Sequence, residues 1–257
     1  MRRHITRVLL AVTVAGATVT TLGLMGASTA GASTGTTAIT RVFTNNQAGY
    51  FTGAGTRLFR FVGSSVTVPA CQPTTVIATK DNNPDGEIWL VGSGGAFAFI
   101  QVTCDGGSGG SVFFGDDFHA IGTLGLFPTA GDVVRISIFH NRLASRDEFT
   151  VTNTRTGRTQ HVTVTTPATI VYRHAQADSF APDNSAITLQ AAKIHLWDFA
   201  NTDVTTQNGV HGSLLGPWAT FKLVDTVDGT SSTPVVMFAT SLSNSGHNFS
   251  TWLNAAS

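Results

Sequence analysis

The sequence predicts an all-β sandwich or jelly roll, in which two antiparallel sheets each cover the other's apolar face. Three observations carry that expectation. Short segments alternate apolar and polar residues at period two, as a strand with one buried face does. Gly, Asn, Asp and Ser fall between them at turn spacing. No stretch sustains the 3.6-residue period of an amphipathic helix.

Taken in order, the chain of 257 residues opens on Arg2, Arg3 and Arg7, then an apolar run through Met25 that holds no acidic residue. Ala30-Gly31-Ala32 supplies small residues where a signal peptidase cuts. The expected divisions are a cleaved signal over 1–32, a loose new N-terminus over 33–40 and one β domain over 41–257. Gly and Thr break the apolar run short of the ~20 residues a membrane span needs. Secretion to the extracellular space, free of the membrane after cleavage, is the expectation.

Within the domain, strands are expected at 57–68, 74–79, 87–91, 96–104, 112–119, 132–140 and 170–174, and later at 193–199, 219–224, 235–239 and 248–253. The clearest is 132–140, where Val134, Ile136 and Ile138 face one way while Arg135 and Ser137 face the other. A hairpin is expected at 148–154 and 159–165, turned by Arg155-Thr156-Gly157-Arg158. The Gly-rich stretch 105–110 reads as a hairpin loop. It lies between two strands rather than before a helix, so it is no phosphate cradle.

Composition narrows the function classes. Cleavage of the signal removes three of the 15 basic residues and none of the 15 acidic ones, leaving a net charge of about −3. That balance excludes nucleic acid and anionic membranes as charge-driven partners, and a monomer is expected. Cys71 and Cys104, the two cysteines of an exported chain, are expected to form a disulfide worth about 3 to 4 kcal/mol in the chain-entropy model. The eight histidines show no HExxH or His-x-His spacing and no Gly-x-Ser-x-Gly elbow occurs, so neither a metal nor a cofactor is expected. The densest polar cluster on an expected strand is Asp116-Asp117 beside His119.

Read in order, Asn45-Asn46-Gln47-Ala48-Gly49-Tyr50, the stretch FVGSSVTVP from Phe61 to Pro69, and Trp89-Leu90-Val91-Gly92 resemble the start of the eqolisins, the secreted glutamic peptidases. That family shows N-W-A-G, F-x-x-V-x-x-x-x-x-V-P and W-V-G-I in the same sequence. The likeness continues through Ile100-Gln101, the aromatic and acidic stretch Phe113 to Phe118, Ala130-Gly131-Asp132-Val133 and the 152–157 turn, and ends with SGHNFSTW from Ser245 to Trp252. It spans nearly the whole of 41–257.

The resemblance implies a concanavalin-like jelly-roll sandwich whose groove accepts an extended peptide or unfolded protein. It also implies a glutamate that deprotonates the attacking water and a glutamine amide that holds the water and the oxyanion. On this chain the glutamine maps to Gln101 and the substrate-site tryptophan to Trp89. The groove strand W-Y-E-W maps to Gly115-Asp116-Asp117-Phe118, and the family's first tryptophan to Gln47. Aligned on Pro182, the segment holding the catalytic glutamate reads Ala175-Gln176-Ala177-Asp178-Ser179-Phe180, which sets Gln176 where the carboxylate belongs. The leading expectation is therefore a peptide groove with impaired proteolysis. An active acid endopeptidase using Gln101 with Asp178 or Asp117 is the alternative. A third, a carbohydrate-binding module, rests on Trp89, Trp197 and Trp218 as stacking platforms.

Overall fold

The computed structural model describes residues 39–44, 46–53, 56–71, 85–103, 109–180, 196–226, 231–232 and 235–253. The expected signal over 1–32, most of the 33–40 segment, the strand at 74–79 and Cys104 lie outside these residues. The described strands are β1 (Thr40–Thr44), β2 (Gln47–Gly53), β3 (Phe59–Thr67), β4 (Asp85–Gly92), β5 (Gly95–Thr103), β6 (Gly109–Asp116), β7 (His119–Thr123) and β8 (Val133–Asn141). They continue with β9 (Arg146–Asn153), β10 (Thr159–Thr165), β11 (Tyr172–Phe180), β12 (Leu196–Thr206), β13 (His211–Ser213), β14 (Ala219–Thr226), β15 (Val235–Ala239) and β16 (Phe249–Leu253).

These strands form an all-β jelly-roll sandwich, as the sequence predicts. Its two layers are arms of one ladder, in the order β10-β9-β8-β3-β12-β16-β15-β14-β2-β11-β4-β5-β6-β7. β13 pairs antiparallel with β12, whereas β1 joins β14 in parallel, which the all-antiparallel expectation did not include. The ladder doubles over so that β2, β11, β4, β5 and β6 face β9, β8, β3, β12 and β16. Phe114 of β6 meets Phe149 of β9 with ring centroids 5.2 Å apart, and the hydroxyls of Ser179 on β11 and Thr251 on β16 are hydrogen-bonded. Gly86 of β4 lies under Trp197 of β12, where a Cβ would stand 2.6 Å from the indole.

Burial follows the period-two pattern. Val134, Ile136 and Ile138 point into the core, as do Ile88, Leu90, Ile100 and Val112 from the opposite arm. Asn153 and the turn 154–157 close the expected β9–β10 hairpin, with Gly157 at φ +68°, a conformation that glycine adopts without a side-chain clash.

Two expected elements differ. The strand at 112–119 stops at Asp116, because that carboxylate turns back on the chain: Oδ1 accepts from the backbone N–H of Phe118 and His119 at 2.9 and 2.7 Å. The strand expected at 170–174 runs instead from Tyr172 to Phe180. Its inward residues, Ala175 and Ala177, are too small to give a strong apolar signal.

Asp132, at the start of β8, ties the hairpin turn down. Its carboxylate accepts from Asn153 Nδ2 at 2.7 Å, from Thr129 N–H at 3.0 Å and from the Arg155 guanidinium. The bond from Arg155, helped by the other donors, holds it well below the usual carboxylate range. A depressed carboxylate contributes stability above its unfolded pKa of about 4 and loses it as pH falls. Asp132→Asn is therefore expected to lower the thermal midpoint at neutral pH and to flatten its decline below about pH 4. Parallel midpoint-against-pH curves for the two proteins would refute this account.

Candidate active site

Residues paired across a ladder point their side chains to the same face. On the first arm the outward face therefore consists of rows that the register defines. One row runs Gln47, Phe180, Asp85, Gln101 and Ser111 across β2, β11, β4, β5 and β6. The next holds Gly49, Asp178, Glu87, Phe99 and Phe113, and a third holds Phe51, Gln176, Trp89, Phe97 and Gly115.

The register sets Gln101 directly opposite Asp85, so their Cβ atoms stand about 4.5 to 5.5 Å apart. Asp178 is directly opposite Glu87 in the adjacent row, about 7 Å along the strands. Although all these side chains lie on the outward face, Asp85 is 2% exposed and Glu87 and Asp178 are 0% exposed. Gly49 makes room for the pair, since a Cβ there would lie 2.4 Å from the Asp178 Cβ.

Around the carboxyls lies an aromatic floor. Trp89 packs on Phe97 at 4.6 Å, Phe97 on Phe99 at 6.2 Å and Phe99 on Phe113 at 5.0 Å between centroids. Phe51 stacks on Phe221 of β14 at 4.6 Å. The sequence pointed to Trp89 but not to Phe97, Phe99 and Phe51, nor to Asp85 and Glu87. The signal was Ala96-Phe97-Ala98-Phe99: alternation says that one set faces inward without saying which, and here the alanines fill the core.

The structure brings some expected site residues together and separates others. Gln101, Gln47, Trp89, Gln176 and Asp178 share the outward face, with Gln47 in the Gln101 row. Gln176 is not across from Gln101, however. It lies four residues before Phe180, the β11 member of that row, and hence about 13 Å along the strands. Asp116 corrects its expected groove role, because it points inward and binds His119 Nδ1 at 2.8 Å besides the turn amides. Asp117 accepts from Gly95 N–H at 2.7 Å, and Gly95 is six residues from Gln101 along β5, about 20 Å away. Burial, and Asp116 beside it, push the Asp117 carboxyl up against the pull of that N–H, yet it is out of reach of Gln101. Phe118 is 45% exposed at the same turn, next to Gly94.

Two of the tryptophans expected to stack on sugars are core residues. Trp197 is 3% and Trp218 4% exposed, and Trp218 Nε1 donates to Leu214 O at 3.1 Å. Neither offers a ring face to a ligand. The expected Cys71–Cys104 pairing involves a residue outside those described.

No family model and no curated protein matches the sequence. Solved structures do match. Scytalido-glutamic peptidase bound to a peptide-based transition-state analogue aligns with a TM-score of 0.58 at 13% identity, over 82% of this chain and 100% of that one. The same enzyme with a transition-state analogue inhibitor gives a TM-score of 0.59, again at 13% identity, 82% and 100%. SCP-B, a member of the eqolisin family in complex with the tripeptide Ala-Ile-His, gives 0.54 at 13% identity, with the same coverage. The chain has a divergent eqolisin-like fold.

Proposed function

We propose, from that fold, that the outward face of the first arm takes an extended peptide and that Gln101 with Asp85 hydrolyses it at acid pH. The observation carrying this proposal is their register: an amide that can hold water and donate to an oxyanion stands opposite a carboxyl that can take a proton. One row on, Asp178 stands directly opposite Glu87, a second pair of acids on the same face. The aromatic rings from Trp89 to Phe113 give peptide side chains an apolar bed. The peptidic ligands of the similar solved proteins support the substrate class. Export by the 1–32 segment and a Cys71–Cys104 bridge belong to the same proposal.

The neutral Gln176 loses its weight against catalysis, since it occupies the Trp89 row. A different observation favours a second reading, a peptide-binding protein without turnover: Asp85, Glu87 and Asp178 are closed to solvent. The test is cleavage of an unfolded protein in the range of about pH 2 to 5, where carboxyls titrate. The proposal expects cleavage that falls roughly 10²- to 10³-fold in Gln101→Ala, the loss typical of an oxyanion donor. If no acid buffer yields cleavage, hydrolysis is excluded, and retention of peptides on the immobilised protein then decides for the second reading.

A further inference from the structure

The opposite arm carries a separate recess on its own outward face, of about 410 Å³, within the range of small-ligand sites. The register lays it out as a strip across four strands. Asp203, Gly63, Ser137 and Thr150 form one row across β12, β3, β8 and β9, and Ala200, Ser65, Arg135 and Thr152 form the next. At a strand spacing of about 4.8 Å, the strip is about 14 Å long.

Three local devices shape this recess. Gly63 has no side chain, so the Phe61 ring lies over it; a Cβ there would be 2.8 Å from Phe61 Cζ. The register of β12 against β3 shifts between Ala200 and Asp203, and at that bulge Asn201 adopts φ +52° and lines the recess. Bulges and left-handed non-glycine residues are costly, and they concentrate where a side chain must be re-aimed. Finally, Asp203 is backed by His247, whose Nδ1 hydrogen-bonds with Thr202 O at 3.2 Å and lies 2.9 Å from the Asp203 Oδ1.

We infer that this recess binds a neutral saccharide. Its two charged side chains, Arg135 and Asp203, cancel, which disfavours a strongly anionic or cationic ligand. The guanidinium, the carboxylate and the Asn201 amide are planar groups with paired donors or acceptors, suited to the vicinal hydroxyls of a sugar ring. Ser137, Thr150 and Thr152 add hydroxyls that both donate and accept. Phe61 supplies a flat apolar edge for ring C–H groups. The site is separate from the peptide face and needs none of its residues.

The experiment is isothermal titration of the intact protein with cellotetraose, laminaritetraose and mannotetraose, with tetragalacturonate as the charged control. At least one neutral tetrasaccharide should bind at millimolar concentration or below. Ser137→Phe, which fills the strip, should abolish that binding, and Arg135→Ala should weaken it roughly tenfold. Gln101→Ala should leave it unchanged, so that failure here is separable from failure of the peptidase proposal. Circular dichroism and the thermal midpoint verify the fold of Ser137→Phe; if it does not fold, exposed Arg135→Ala carries the test. Absence of binding by all three neutral sugars, binding of tetragalacturonate alone, or undiminished binding in the folded variants would each overturn the inference.

Discussion

Asp85→Asn is expected to lower acid cleavage by roughly 10²- to 10⁴-fold, the usual worth of a general base. An amide there preserves size and hydrogen bonding but cannot accept a proton in the acid range. The loss should fall on kcat more than on KM, because Asp85 is placed toward Gln101 rather than toward the aromatic floor that binds the chain. Gln176→Glu supplies the contrast. A carboxyl at 176 stands in the Trp89 row, about 13 Å along the strands from Gln101. It should therefore change the rate by no more than about threefold, well inside the range that a distant surface charge produces. A large gain from Gln176→Glu with a silent Asp85→Asn would mean that the register does not define the reacting pair.

The second large effect lies in the core. Asp147 on β9 is fully buried and receives two donors, His140 Nδ1–H from β8 at 2.7 Å and the Tyr172 hydroxyl from β11 at 2.6 Å. The imidazole meets the Tyr172 ring edge-on at 4.9 Å, so the trio joins one arm to the other. Burial, and the negative charge of Asp147, drive the tyrosine hydroxyl far above its ordinary range, which keeps it a donor throughout the physiological pH range. Asp147→Ala strands both donors where water does not reach. The expected cost is about 2 to 6 kcal/mol, at about 1 to 3 kcal/mol for each buried donor left without a partner. Urea unfolding measures it; a loss below about 1 kcal/mol, the scale of an exposed pair, would show that the trio is not a joint between the arms.

Why some of this was legible in the sequence and some was not follows from side-chain size and from register. The strand through Val134, Ile136 and Ile138 announces itself, since branched residues alternate with Arg135 and Ser137. The hairpin closed by Gly157 is equally plain. β11 is not, because Ala175 and Ala177 fill the core side while Gln176 and Asp178 face out, and alternation of small with polar residues resembles a loop. Gln101, Trp89 and Asp178 were found through their likeness to a family. Asp85 and Glu87 were not, because a carboxyl at the head of a strand reads as a solvated turn until its cross-strand partner is known. Only the pairing of β4 with both β5 and β11 reveals that three acids gather beside one glutamine.

The unbroken ladder also limits how the molecule can move. Among the described residues, β16, β15 and β14 carry main-chain hydrogen bonds around the bend from one arm to the other. Spreading the layers like a clam would bend that belt as a hinge and expose the core between the arms to water. The facing of Gln101 and Asp85 is thereby set by strand pairing within the first arm and does not depend on how far the arms spread.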